Sequence, residues 1–156
     1  MKILAKITTL ALSSITLVAC ATPTKAVQTN FEKTRTVSKS FDKTWENVVE
    51  GFASANIGIE TLEKDSGLIV ASSLYTTVSD MEEFASCDKS GLLETPTGGS
   101  AKYNVFVRKV SELSTKVQVN TVFTQKLTGY GNVPITRSCY SKGTLEAIIM
   151  DRIEQP

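Results

Sequence analysis

The chain contains no histidine, which removes the commonest general base and the commonest metal ligand together. Nucleophilic Ser–His and Cys–His pairs go with it. No G-x-S-x-G elbow, G-x-G-x-x-G or P-loop pattern occurs, and Gly98-Gly99 beside Pro96 and Thr97 reads as a turn rather than a phosphate cradle. Neither sign of charge is in surplus: 17 Lys and Arg stand against 16 Asp and Glu. Nucleic acid is given no basic footprint, and no acidic block suggests a disordered tail. Cysteine is scarce, three residues in 156, and without His or CxxC spacing the usual zinc ligand sets cannot be assembled. Neither a metal nor a cofactor is expected.

The first twenty residues, MKILAKITTLALSSITLVAC, carry Lys2 and Lys6 ahead of an apolar run from Ile7 to Ala19. That run is the length of a signal-peptide core and shorter than the roughly 17–25 residues that span a bilayer as a helix. Leu17-Val18-Ala19-Cys20 matches the bacterial lipobox, in which small residues precede a cysteine that is acylated and becomes the first residue of the mature chain. Ala19-Cys20-Ala21 also fits ordinary small-x-small cleavage, which would release a free protein beginning at Thr22. The lipobox is the more specific match, because it requires a cysteine at one position. The organisation expected is a lipoprotein signal peptide over 1–19, a lipidated Cys20 with a polar tether over 20–30, and a single domain over 31–156. By resemblance to bacterial lipoproteins, Ala21 in place of an Asp directs the chain to the outer membrane, on its periplasmic side. Loss of residues 1–19 removes two lysines and no acid, so the remainder carries 15 basic against 16 acidic groups.

With Cys20 assigned to lipid, Cys87 and Cys139 remain. An even pair in an oxidising compartment is most simply a disulfide, with a two-thiol metal site or a redox pair as the alternatives.

Along the rest of the chain, 30–39 alternates weakly as an edge strand. Ser40 is placed to cap a helix whose apolar stripe is Phe41, Trp45, Val48, Val49 and Phe52. A hairpin follows, turning at Lys64-Asp65-Ser66-Gly67. Residues 78–101 read as a long loop holding Cys87. A second hairpin is expected over 102–110 and 116–125, then an irregular stretch over 128–143 with Cys139, then a helix over 144–153. The fold class is therefore α+β: a two-layer antiparallel β-sheet with two helices packed on one face.

The stretch FDKTWENVVEGFASANIGIETLEKDSGLIVAS resembles the helix-then-hairpin unit of envelope lipoproteins with helix-grip domains. The lipoprotein subunit of the outer-membrane barrel-assembly machinery, the BamC or NlpB family, is one such group. The match lies in Phe41 and Trp45, in Ile57-Gly58-Ile59, and in Asp65-Ser66-Gly67-Leu68-Ile69. CYSKGTLEAII, from Cys139 to Ile149, also resembles the closing stretch of small lipoproteins. The resemblance implies a helix-grip-like fold and an envelope location, and it carries over no catalytic residue.

The function expected is a non-catalytic binding or scaffolding module, held to the membrane by its N-terminal lipid and meeting an envelope protein partner. Contact is expected from the two cysteine-bearing loops, at Phe84, Leu92, Tyr130 and Tyr140. The bridge serves equally well as a structural closure of those loops. Two alternatives come from other classes. One is a small hydrolase of cell wall or glycan using the loop carboxylates Asp80, Glu82, Glu83, Asp88 and Glu94. The other is a secretion-linked lipoprotein that assembles into a ring.

Overall fold

The computed structural model describes residues 25–155, so the expected signal segment and Cys20 lie outside the described residues. Helix α1 (Phe41–Ser54) begins where Ser40 Oγ accepts the Lys43 N–H at 3.3 Å, with Asp42 in the first turn facing the helix dipole. Its buried residues, Thr44, Trp45, Val48 and Phe52, fall on one stripe. The helix stops at Asn56, whose φ of 55° turns the chain into the strand that begins at Gly58.

Seven strands form one antiparallel sheet: β1 (Thr34–Val37), β2 (Gly58–Glu63), β3 (Leu68–Tyr75), β4 (Ala85–Ser86), β5 (Thr95–Ser111), β6 (Ser114–Thr128) and β7 (Pro134–Ser141). Their order is β2-β3-β5-β6-β7-β4. Strand β1 pairs with 115–118 of β6 and β7 with 123–128, while β5 occupies the other side of both stretches. Strands β1 and β7 therefore lie end to end along one side of β6.

Period-two alternation divides the sheet's faces. Ile69 and Ala71 of β3, Tyr103, Val105 and Val107 of β5, and Val117, Val119 and Phe123 of β6 point to one side and are buried. They pack against α1 and against Leu145, Ile149, Met150 and Ile153 of α3 (Thr144–Glu154) in a single core cluster. The opposite face is open, with cross-strand pairs such as Asn104–Asn120 and Ser100–Thr124 half-buried and Lys102–Val122 exposed. The two-layer α+β architecture expected from the sequence is the one observed.

Three details differ from the expectation. The stretch 78–101 is not a continuous loop: it holds a third helix, α2 (Val78–Glu82), the short β4, and the first residues of β5. Gly99 lies within that strand because α2 packs on it, and a Cβ there would come 2.2 Å from Met81 Sδ. The stretch 128–143 likewise contains β7, which no hydrophobic alternation marks, since none of its eight residues is buried. The edge strand expected over 30–39 is ordered as a strand only over Thr34–Val37.

Candidate functional site

Cys87 and Cys139 are joined, Sγ–Sγ 2.02 Å, linking the segment after β4 to β7. The same loop is tied to β7 a second time. The Arg137 guanidinium donates to Glu94 Oε2 at 2.7 Å and to the carbonyls of Asp88 and Lys89 at 3.2 and 3.5 Å. Glu94 also accepts the Gly91 N–H at 2.9 Å. That N–H first, and the guanidinium second, hold the Glu94 carboxyl below the usual carboxylate range. The chain arriving from the N-terminus docks here too: the Ala26 N–H donates to Asp88 Oδ1 at 2.6 Å and the Val27 N–H to Ser86 Oγ at 3.0 Å. Residues within the expected tether are thus hydrogen-bonded to the disulfide loop.

Of the four expected contact residues, Leu92 and Tyr130 stand together at one end of the sheet, since the start of β5 pairs with the end of β6 through Thr95–Thr128. Both are exposed, Tyr130 at 82%. Tyr140 lies farther along β7 opposite Ser86 and is half-exposed. Phe84 is turned the other way, partly buried against the core with its ring 6.1 Å from that of Tyr75. Leu93 and Val133 are exposed beside Leu92 and Tyr130 and were not singled out from the sequence, although the Leu92-Leu93 pair inside a polar loop is a readable signal.

The loop carboxylates are divided among different elements and partners. Asp80 and Glu82 sit on α2, Glu83 is its C-cap, Asp88 receives the Ala26 N–H, and Glu94 is paired with Arg137. Ser–Lys catalysis was not expected from the sequence, yet two Ser-x-x-Lys spacings are present, Ser40–Lys43 and Ser86–Lys89. In the fold Ser40 Oγ caps α1 and Ser86 Oγ accepts the Val27 N–H.

No family model matches this chain, and no curated protein does.

Two further features carry polar or apolar character worth placing. A groove of about 100 Å³ runs between α1 and α3, lined mainly by Val48, Phe52, Ala55, Ile57, Leu145 and Ile149, with Arg152 at its rim. Glu146, in the first turn of α3, is fully buried. Its Oε2 accepts the Ser141 hydroxyl at 2.8 Å, and Ser141 Oγ in turn accepts the Gly143 N–H at 3.0 Å. The helix N-terminus favours a carboxylate at that position. Glu146 Oε1 and Thr121 Oγ1 are buried without a protein hydrogen-bond partner. Neither residue lines the α1–α3 groove, and the cluster has no group of the kind that activates a nucleophile beyond the carboxylate itself. No group of three or more His, Cys, Asp or Glu suited to a metal ion occurs among the described residues. What the geometry offers is a rigid, doubly tied loop end presenting apolar side chains, next to the point at which the chain enters the domain.

Proposed function

We propose that the chain is a non-catalytic cell-envelope lipoprotein, a binding or scaffolding module anchored through Cys20 to the outer membrane and facing the periplasm. The observation that carries this reading is the use of the three cysteines. Cys87 and Cys139 are bonded to each other, which leaves Cys20, at the end of the lipobox-like LVAC, as the one thiol open to acylation. A disulfide is also at home in an oxidising compartment. The commitment of Asp88 and Glu94 to holding chain segments together speaks for a structural loop over a pair of catalytic carboxylates. The likeness of residues 41–72 to helix-grip lipoproteins agrees with this compartment.

The test is Cys20→Ala expressed in a bacterial host and followed by electrophoretic mobility and membrane fractionation. The lipoprotein reading expects an unprocessed or mislocalised precursor. Normal processing to a soluble periplasmic product would overturn it in favour of small-x-small cleavage. Cross-linking in intact cells, with mass spectrometry of the captured protein, would then identify the partner.

A further inference from the structure

We propose that the loop end of the sheet, bearing Leu92, Leu93, Tyr130 and Val133, rests against the phospholipid surface that holds the Cys20 lipid. The domain then stands end-on, with its β5–β6 turn directed away from the bilayer. This rests on the lipoprotein reading above.

The first support is the position of the tether. The chain becomes part of the domain at Ala26, bonded to Asp88, and the Asp88 carbonyl is bonded to Arg137. The entry point itself lies against Ser138, Cys139 and Tyr140, and Cys139 faces Phe123 of β6, five positions from the end of that strand at Thr128 and nine from its start at Ser114. At about 3.4 Å per residue the loop end is ~17 Å away and the β5–β6 turn ~31 Å. Six peptide steps separate Cys20 from Ala26, and they reach at most about 22 Å. The tether therefore spans the distance to the near end and falls short of the far one.

The second support is the chemistry of that end. Leu92 is fully exposed, and Leu93, Tyr130 and Val133 are each more than half exposed. They sit on turns that are fixed: the Glu94 N–H closes back on the Gly91 carbonyl at 3.1 Å, and the Gly129 N–H on the Val133 carbonyl at 2.8 Å. A tyrosine beside leucines is the composition of a membrane-interface contact, apolar on one side and wet at the hydroxyl. The charges around this end are mixed: Lys25, Lys89 and Lys126 are exposed there, as are Asp80, Glu82 and Glu83 on and just after α2, which packs on Gly99.

The far turn is amphipathic as well, with Val110 and Leu113 exposed, and it supplies the control. Lipidated protein carrying Leu92→Trp, Tyr130→Trp or Val110→Trp is placed in vesicles of phosphatidylethanolamine and phosphatidylglycerol containing a doxyl-labelled lipid. The native Trp45 is buried in the core, so it contributes a common background to all three. The proposal expects blue-shifted emission and at least about twofold stronger quenching for L92W and Y130W than for V110W, because only the near end enters the interface. Equal quenching at both ends, no quenching at any, or stronger quenching of V110W overturns it. So does a photo-cross-linker at position 92 that joins the chain in cells to another protein rather than to lipid. The mass of the N-terminal peptide separates the two levels of failure. An acylated Cys20 with unquenched L92W removes this proposal alone, and an unacylated chain removes the lipoprotein reading with it.

Discussion

Phe31 fills the space that a side chain on Gly143 would need: a Cβ at Gly143 would come 2.5 Å from Phe31 Cγ. Gly143 is also the N-cap of α3, with φ of 85°. The segment before β1 and the start of the last helix therefore fit together only through a glycine. Gly143→Ala is expected to cost about 1–3 kcal/mol in stability, read as a fall of several degrees in the thermal midpoint. Adding Phe31→Ala removes the collision and leaves the backbone strain, so the two substitutions should couple in a double-mutant cycle. Additive effects would show that the contact carries no energy.

The Cys87–Cys139 bridge closes a long segment, its ends 52 positions apart. On the chain-entropy account, removing it costs about 4 kcal/mol. Cys87→Ser with Cys139→Ser should lower the denaturant midpoint accordingly, and thiol titration of the denatured, unreduced mature protein should find no free thiol. Two reactive thiols would remove the bridge from the account of this end.

Glu94 gives the loop a pH dependence of known sign. Its folded carboxyl lies below the ordinary range, so its contribution to stability is fully present above about pH 4.3 and is lost as pH falls through the lower folded value. The protection factor of the Gly91 amide should therefore drop on acidification below that range. Glu94→Gln should show the weaker protection already at neutral pH, with little further change in acid.

Tyr103 has the opposite sign. Burial raises its phenol pKa, partly offset by the 2.6 Å hydrogen bond with Ser73 Oγ. A raised value means that the neutral phenol stabilises the fold below the ordinary tyrosine pKa of about 10 and that this contribution fades as pH rises beyond it. Tyr103→Phe should flatten the alkaline fall in stability and cost about 0.5–1.5 kcal/mol at neutral pH. Tyr103 also packs against Phe52, ring centroids 5.7 Å apart. Truncating that partner, Phe52→Ala, should cost about 3–5 kcal/mol.

The parts of the fold that could be read from sequence are those in which burial leaves a periodic trace. The α1 stripe and its Ser40 cap, the β2–β3 hairpin, the middle of β5 and β6, and the α3 face of Leu145, Ile149 and Ile153 all bury one side only, although Ile148, expected on that α3 face from the sequence, is exposed. Strand β7 escaped because PITRSCYS lies between β6 and the two-residue β4 with no residue fully buried, so its alternation has no hydrophobic signature. The start of β5 escaped because Gly98 and Gly99, which ordinarily mark turns, here admit α2 and the neighbouring strand at close range. At the loop end, Leu92 and Tyr130 were visible as exposed apolar residues, but Phe84, equally aromatic, belongs to the core. Only the three-dimensional path of 83–94 decides which way each one faces. The Arg137–Glu94 pair, 43 residues apart, has no local signal at all.

The placement of β1 and β7 along one side of β6 bears on how such a chain comes into being. Thr34 meets Gln118 and Val37 meets Thr115, so the first strand has no sheet to join until most of the polypeptide has followed it. The core waits in the same way for α3, the last element, to close over α1. A chain that emerges N-terminus first thus holds its early segments uncommitted, and the cost of bringing such distant segments together falls late in folding. Under the proposed lipoprotein reading, in which the chain crosses a membrane unfolded and is fixed to lipid at its leading end, that order delays closure of the domain until translocation is nearly finished.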